Sequence, residues 1–385
     1  MRSRSSAGRY GASAEEFSSA RTAGQFSVPV GGHQPTSLDV DTDAARSSDS
    51  PVLPRARGPL SAAVISALPR SPGTFGPTPP IAGIDALSDD DFALALYLCY
   101  EVHYRAVTDA GWEWDSGLLS FRAELERAFV DRLRDEVVDP GFRFPFEVAS
   151  TLDELIRAAP GPSLSQHLLE SGTLTQLREF CMHRSAYQLK EADPHTFAIP
   201  RLTGEAKAAM VEIQYDEYGS GVAADMHSHL FGDTMDALGL DSSYGAYVEV
   251  LPGVTLATTN LVSMFALHRR WRGALVGHLA VFEMTSVEPM ARYSRALARF
   301  GIGSQGRRFY DVHVTADERH AVIARDRMVA GLVRAEPELS GDVLFGAAAV
   351  LMLEQRFASH LLGAWAENRT SLVSGTGQHV DETDH

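Results

Sequence analysis

The segment Phe309–Arg327 reads FYDVHVTADERHAVIARDR. Within it, His313, Asp317 and His320 stand at positions i, i+4 and i+7. At about 100° per residue, these positions lie within roughly 60° of one another on an α-helix, so one face would present two imidazoles and a carboxylate. Such a donor set suits a first-row transition metal, typically iron or manganese. A solvated helical face is the alternative interpretation, because charged residues such as Glu318 surround the three.

Further ligands would have to come from other helices, and the first pair occurs in VEIQYDEYGSGVAADMHSHLF, residues 211–231. Glu217 and His227 are ten residues apart, which on a regular helix would be about 15 Å along the axis. They can share a metal only if the helix is interrupted at Gly219–Gly221, where the two glycines favour a break. Three neighbours are alternatives to these two residues: His229, Asp216 and Glu212.

Two more acids stand in unusual surroundings. Glu283 is an isolated carboxylate in the otherwise apolar run 274–284, and burying it without a partner would cost several kcal/mol. Metal ligation would offset that cost, and so would an ion pair with Arg269 or Arg272. Glu191 ends a predicted helix beside a proline break, where a cap or a salt bridge is the default interpretation.

Bulk properties limit the class of partner. The 385-residue chain carries a net charge of −16, which argues against nucleic acid or an anionic membrane as the main partner and favours a small-molecule substrate. With only Cys99 and Cys181, a disulfide framework or a cysteine-rich zinc site is excluded. No stretch approaches the roughly 20 apolar residues of a membrane span, and no signal peptide is recognisable. We therefore expect a soluble, cytoplasmic protein.

Composition divides the chain into three parts. Residues 1–82 are rich in Ser, Gly, Pro and Arg and are expected to form a disordered leader with at most a short docking helix at 59–68. Residues 83–366 are expected to form an all-α domain, and 367–385 a disordered acidic tail. The apolar periodicity predicts helices at 89–108, 116–136, 145–159, 163–183, 204–218, 223–238, 241–251, 254–271, 274–286, 289–301, 305–335 and 339–363.

Four stretches resemble the actinobacterial iron-containing redox enzymes, a group within the haem-oxygenase-like di-iron oxidases and oxygenases. They are HRSAYQLKEADPHTFAIPRL, VEIQYDEYGSG, LHRRWRGALVGHLAVFEMTS and FYDVHVTADERHA. That family places Glu and His on one core helix, Glu on a second and His-xxx-Asp-xx-His on a third. The resemblance covers residues 89–366 and implies a haem-oxygenase-like helical bundle with extra N-terminal helices.

The resemblance also implies the site and its chemistry. Two iron ions would be held by six residues in family order, with a further carboxylate, Glu191, matching an extra ligand of N-oxygenating members; the six are Glu217, His227, Glu283, His313, Asp317 and His320. With O2 as co-substrate, the expected reaction is N-oxygenation of a small amine- or amino-acid-derived metabolite. Oxidative C–C or C–H cleavage is the alternative. An external electron donor such as a reductase or ferredoxin is implied, and a homodimer is expected.

Three rival interpretations remain. A haem-degrading enzyme would need an axial histidine, for which His103 is the nearest candidate, and a thiaminase-like hydrolase would need Cys99 or Cys181 as a nucleophile. A non-catalytic helical binding protein would leave the proposed ligands scattered.

Tyr310 and Asp311 are candidates to orient the imidazoles of the proposed site.

Overall fold

Helices make up the regular structure of the computed structural model, which describes residues 53–105, 108–137, 141, 144–159 and 161–373. In chain order they are α1 (Pro59–Ala67), α2 (Asp90–Glu101), α3 (Ser116–Glu136), α4 (Val148–Ala158), α5 (Leu164–Glu170), α6 (Leu174–Gln188), α7 (Asp193–Thr196), α8 (Gly204–Glu217), α9 (His227–Ala237), α10 (Gly253–Leu267), α11 (Arg272–Thr285), α12 (Val287–Arg299), α13 (Ser304–Val322), α14 (Ala330–Ala335) and α15 (Ser340–Ala366). A π-helical turn, Ile323–Val329, joins α13 to α14. No strand occurs in these ranges, and the all-α prediction is confirmed.

Two predicted helices differ from the observed ones by more than their end positions or the π-helical turn within 305–335. The helix predicted at 163–183 is divided into α5 and α6, because Thr173 caps the second helix and its side chain accepts the N–H of Gln176. The helix predicted at 241–251 is wrong. There Asp241 accepts the N–H of Ser243 and Gly245 has a φ of +82°, so the segment turns, and only Val248–Val250 forms a short 3₁₀ turn.

The expectation of a disordered leader up to residue 82 is wrong for residues 53–82, except that the short helix allowed at 59–68 is present as α1. Within this segment, α1 buries Leu60 and Val64 completely. Its first turn is capped from α2, since the carboxylate of Asp91 accepts the N–H of Leu60 at 2.9 Å and that of Ser61 at 2.7 Å. Apolar burial and satisfied backbone donors together offset the entropy cost of ordering the segment. Residues 1–52 lie outside the described residues.

The expectation of a disordered tail from residue 367 is likewise wrong for residues 367–373. The carboxylate of Glu179 on α6 accepts both the backbone N–H and the hydroxyl of Ser371, at 2.9 and 2.6 Å. His183 Nε2 lies 3.0 Å from the same hydroxyl. Glu179 is buried and needs such donors, so the segment is held against α6. Residues 374–385 lie outside the described residues.

Close packing of α11 against α15 forms the centre of the larger hydrophobic core. A Cβ atom on Gly277 would overlap the carbonyl of Val343, and one on Gly346 would overlap the carbonyl of Ala274. Only glycine permits this approach, so the two backbones are nearly in contact. The close crossing fixes α11, and with it Glu283 near the end of that helix.

The residues of interest are carried by the helices around this core. Glu217 ends α8, His227 begins α9, and His313 lies on α13. The α13 helix packs against α9, α11 and α12, while α8 packs against the π-helical turn. Among the described residues, no helix combines the length and the apolar character required to cross a membrane.

Candidate metal centre

Seven buried side chains from five segments of the chain meet in two groups that share Glu217. One group is Glu191, Glu217, His227 and His313, and the other is Glu217, Glu283, Asp317 and His320. Within each group, one donor atom of every residue lies within 4.8 Å of those of the others. The seven residues singled out from the sequence are therefore brought together by the fold.

The interruption predicted between Glu217 and His227 is present. Gly219 has a φ of +64°, and a Cβ atom there would lie 2.5 Å from the backbone of Asp225 and Met226, so glycine is required at this position. The reversal of the chain brings His227 Nδ1 to 2.8 Å from Glu217 Oε2. Residues far apart on a continuous helix thus become neighbours.

His313 is oriented by the backbone of its own helix. Its Nδ1 lies 2.7 Å from the carbonyl oxygen of Phe309, one turn earlier. This geometry assigns the ring proton to Nδ1 and leaves the Nε2 lone pair directed at the cluster. There Nε2 lies 3.1 Å from His227 Nδ1 and 3.6 Å from Glu191 Oε1.

His320 is oriented by a carboxylate on another helix. Its Nε2 lies 2.9 Å from Asp216 Oδ2, and Asp216 in turn is paired with Arg319. With Nε2 donating to Asp216, Nδ1 faces the cluster, where it lies 3.2 Å from Glu283 Oε2 and 3.5 Å from Asp317 Oδ1. A carboxylate behind an imidazole is the usual support of a metal-binding histidine.

Burial and mutual charge strongly shift the pKa values of the cluster. Burial raises the pKa of Glu283 to about 8. Burial acts in the same direction on Glu217, but the nearby His227, His313 and His320 outweigh it and lower the pKa of Glu217 to about 2. For His320, burial is outweighed by Asp317 and Glu283, which raise its pKa to about 11. Such opposed shifts are typical of functional sites.

Three buried polar atoms in the cluster lack a hydrogen-bond partner: Glu191 Oε2, Asp317 Oδ1 and His320 Nδ1. Leaving such atoms unsatisfied costs stability, and cations bound in the two groups would satisfy all three. The 3.1 Å between His227 Nδ1 and His313 Nε2 also fits shared ligation. Two nitrogens at about 2.1 Å from one metal, at roughly a right angle, are about 3.0 Å apart. The residues present therefore fit a transition-metal centre.

A cavity of about 240 Å³ opens onto both groups. It is reached by five of the seven cluster residues, namely Glu191, Glu217, Glu283, His313 and Asp317. Aromatic side chains form much of the remaining wall: Phe180, Tyr187, Phe282, Tyr293 and Tyr310. A small molecule in this cavity would lie directly against the cluster.

The alternatives considered for the cluster lie elsewhere. His229 is only half-buried and Glu212 pairs with Arg327. Asp216 contacts His320 from outside the cluster. The arginines proposed for Glu283 are engaged or distant, since Arg272 pairs with Glu336 and Arg269 is exposed.

The two residues expected to orient the imidazoles do not do so. Asp311 accepts a hydrogen bond from Ser294 at 2.5 Å, on the side of α13 away from the cluster. Tyr310 lies on the cavity wall with its hydroxyl 3.9 Å from Cys181 Sγ. The groups found in this role, Asp216 and the carbonyl of Phe309, follow from the folded geometry.

The rival sites have less support. Both ring nitrogens of His103 are engaged, Nε2 by Arg122 at 2.6 Å and Nδ1 by Glu113 at 3.4 Å, which leaves neither free for a haem iron. Burial raises the pKa of Cys99 and of Cys181 to about 12, so neither thiol is a ready nucleophile.

Sequence reasoning missed several buried polar residues beside the cluster. Lys190 is fully buried and pairs with Glu101, whose other carboxylate oxygen accepts the hydroxyl of Tyr244. His195 and His278 are hydrogen-bonded to each other at 3.1 Å. For Arg184 and Gln188, which line the cavity, a signal was present, because they repeat with Glu191 the i, i+4, i+7 spacing of the histidine face.

Comparison with known proteins bears directly on this cluster. Residues 178–355, which include all seven cluster residues, match the sequence profile of the family described as iron-containing redox enzymes. This segment belongs to the iron-containing redox enzyme family. The match confirms the resemblance inferred from the four sequence stretches.

One curated relative and two solved structures are also similar. The chain is 25% identical over 217 residues to the nitrosourea synthase of Streptomyces achromogenes subsp. streptozoticus. That alignment covers 56% of this chain and 46% of the relative, so the chain spans about half the length of the curated relative it matches.

The structures are a domain of unknown function with a haem-oxygenase-like fold from Shewanella denitrificans and a CADD-like protein of unknown function from Nostoc punctiforme. The first is 13% identical with a TM-score of 0.43, covering 61% of this chain and 95% of that one. The second is 14% identical with a TM-score of 0.42, covering 63% of this chain and 96% of that one.

Proposed function

We propose that this chain is an O2-activating, non-haem di-iron oxygenase or oxidase that N-oxygenates a small amine- or amino-acid-derived metabolite. The observation that carries the proposal is the pair of buried donor groups joined by Glu217. One acid common to two groups of three further ligands is what a two-metal site requires.

Charge supports two ions rather than one. The cluster contains four carboxylates, those of Glu191, Glu217, Glu283 and Asp317, and so carries up to four negative charges. Two divalent cations would balance them, whereas a single ion would leave buried charge uncompensated. The imidazoles then bind as neutral ligands, in the tautomers that Phe309 and Asp216 already favour.

The assignment of ligands follows the two groups. Glu191, His227 and His313 would hold the first iron, Glu283, Asp317 and His320 would hold the second, and Glu217 would bridge them. When bound, the two irons would supply reductive activation of O2. The protein supplies a buried pocket that limits access of water and a cavity that places the substrate against the cluster.

Two observations favour N-oxygenation over C–C or C–H cleavage. The position of Glu191 inside the first group provides the additional carboxylate expected of N-oxygenating members. The relative is named for a nitrosourea, a product that contains a nitrogen–oxygen bond. The proposal includes an external reductase or ferredoxin as electron donor and a homodimeric assembly, both implied by the family.

Iron binding is tested by titrating the full-length protein with Fe(II) under argon and measuring bound metal after gel filtration. We expect about two irons per chain, and an absorbance change when O2 is admitted. A stoichiometry below about two with no O2-dependent absorbance would contradict the proposal.

The reaction is tested by following O2 consumption of the iron-loaded protein, with a chemical reductant, across a panel of amines and amino acids. Mass spectrometry should show products that have gained oxygen at nitrogen. Products cleaved at C–C or oxidised at C–H would support the alternative reaction of the same site. The matched control is the Glu217→Gln variant, which is expected to consume no substrate-dependent O2.

A further inference from the structure

The cavity beside the cluster has its own polar side chains, which the proposed metal site does not use. Gln188 Oε1 and Gln214 Nε2 are buried without hydrogen-bond partners, and both side chains line the cavity. Gln188 is 9% exposed and Gln214 3% exposed. A buried acceptor and a buried donor facing one cavity indicate a ligand that supplies an N–H to the first and an oxygen to the second.

The α6 helix arranges its polar groups in order along this wall. Arg184 and Gln188 lie one turn apart on α6, and Glu191 of the cluster follows three residues after the helix ends at Gln188. At 1.5 Å per residue, Gln188 stands about 6 Å along the axis from Arg184, toward the end of α6 that leads to Glu191. A ligand touching the cluster therefore reaches Gln188 first.

The far end of the cavity is already neutralised. Arg184 donates two hydrogen bonds to Glu354, at 2.9 and 2.6 Å, and its guanidinium lies 4.3 Å from the ring of Phe357. Because Arg184 and Glu354 neutralise each other through two hydrogen bonds, this ion pair offers no free charge to a ligand carboxylate or ammonium. With two divalent ions balancing the cluster, a charged ligand would bring an uncompensated charge into a buried space.

The remaining walls favour a flat ligand of modest size. Phe180 and Tyr293 are stacked with ring centroids 4.6 Å apart, and both line the cavity. A volume of about 240 Å³ corresponds to about eight water molecules at roughly 30 Å³ each. The space suits a single ring or a short chain with one polar group.

We propose that the cavity binds an uncharged, planar molecule bearing a carboxamide-type group, whose N–H is accepted by Gln188 Oε1 and whose carbonyl oxygen accepts from Gln214 Nε2. This inference deepens the proposed function and rests on it for the balance of charge at the cluster.

The test uses three probes of matched size and shape that differ in charge: benzamide, benzoate and benzamidinium. Binding to the full-length protein is measured by calorimetry at neutral pH under argon, with and without Fe(II). We expect benzamide to bind at least about tenfold more tightly than either charged probe. A charged probe that binds as tightly as benzamide, or a failure of benzamide to bind, overturns the proposal.

Substitutions locate the binding site. Gln188→Met and Gln214→Met keep the length of the side chain and remove one hydrogen-bonding group each, so each should weaken benzamide binding on the order of tenfold. Gln305→Leu, on the surface at the start of α13, is the control and should bind as the wild type does. Folded Met variants with wild-type affinity overturn the proposal.

If the Met variants fail to fold, a charge substitution that should reverse the preference between benzamide and benzamidinium provides the test. Gln188→Glu, in the metal-free protein, should prefer benzamidinium to benzamide, and an unchanged preference overturns the proposal. Iron content, measured separately, distinguishes the two ideas. Selectivity for benzamide in a protein that binds fewer than about two irons would overturn only the di-iron function, whereas two bound irons without benzamide selectivity would overturn only this inference.

Discussion

His227 Nδ1 and His313 Nε2 lie 3.1 Å apart inside the buried cluster, although the two residues belong to different helices. With the ring proton of His313 on Nδ1, where the carbonyl of Phe309 accepts it, Nε2 offers a lone pair toward His227. Either a hydrogen-bonded proton or a bound cation between the two nitrogens satisfies both. A cation at this position would also meet the carboxylates of Glu191 and Glu217.

Removing a ligand that belongs to only one group should empty one metal site and leave the other occupied. His227→Gln and Asp317→Asn should each reduce the amount of bound Fe(II) from about two ions to about one ion per chain, because each residue belongs to one group only. Glu217→Gln should weaken both sites. The control is His229→Gln, two residues from His227 and outside the cluster, which should keep about two. Full stoichiometry in His227→Gln would rule out its assignment as a ligand.

Asp216 should matter for metal affinity without touching the metal. Asp216→Asn weakens the hydrogen bond that holds His320 in its tautomer, and the affinity of the second site should fall roughly 10- to 100-fold. Competition with a chromophoric chelator measures the change. Glu212→Gln, on the same helix and paired with Arg327, removes a comparable surface charge and should leave the affinity unchanged. Equal losses in both variants would point to a general electrostatic effect.

The crossing of α11 and α15 should not accept a methyl group. Gly277→Ala forces a Cβ atom into the carbonyl of Val343, and we expect a loss of about 1–3 kcal/mol in the free energy of unfolding. Gly363→Ala on the same α15 helix meets open space and should gain about 0.5–1 kcal/mol. Urea unfolding of the metal-free protein measures both. A neutral Gly277→Ala would show that the two helices can separate.

His183 should make the protein sensitive to acid. Burial lowers its pKa to about 3, and its ring nitrogens lie 2.7 Å from Thr255 Oγ1 and 3.0 Å from Ser371 Oγ. Between the ordinary histidine pKa of 6.5 and this lowered pKa, the unfolded chain binds a proton that the folded chain does not. Stability should then fall by about 1.4 kcal/mol per pH unit as the pH decreases.

His183→Gln removes this titrating group, so the pH dependence of its unfolding free energy should be shallower by about one proton between pH 6 and 4. Near pH 8 the difference in unfolding free energy between the wild type and the variant should not change with pH, because His183 is neutral in both the folded and the unfolded chain. Parallel curves from pH 8 to 4 would show that His183 has the same pKa in the folded and the unfolded chain, and would contradict the prediction.

Much of the candidate site was predictable because helical geometry is regular. The positions of His313, Asp317 and His320 follow from 3.6 residues per turn, and the break that admits His227 follows from two glycines in sequence. The isolated acid Glu283 is buried as predicted, since the apolar run around it faces the core.

The rest depended on contacts between distant parts of the chain. Residues 53–82 read as unstructured because their composition is poor in apolar groups, yet Asp91 and the core of α2 hold them. Ser371 is fixed by Glu179, which lies 192 residues earlier in the sequence. Gln188 and Gln214 could not be assigned to one cavity before α6 and α8 were seen to face it.

The π-helical turn Ile323–Val329 bears on how this family can change in evolution. Such a turn accommodates one residue more than an α-helix of similar length, and each added residue rotates the following chain by about 100°. It lets α13 direct its histidines inward while α14 keeps its own packing against α8. Relatives with an unbroken α-helix here should lack one residue, and deleting one from this chain should turn either the histidines or α14 away from its partners.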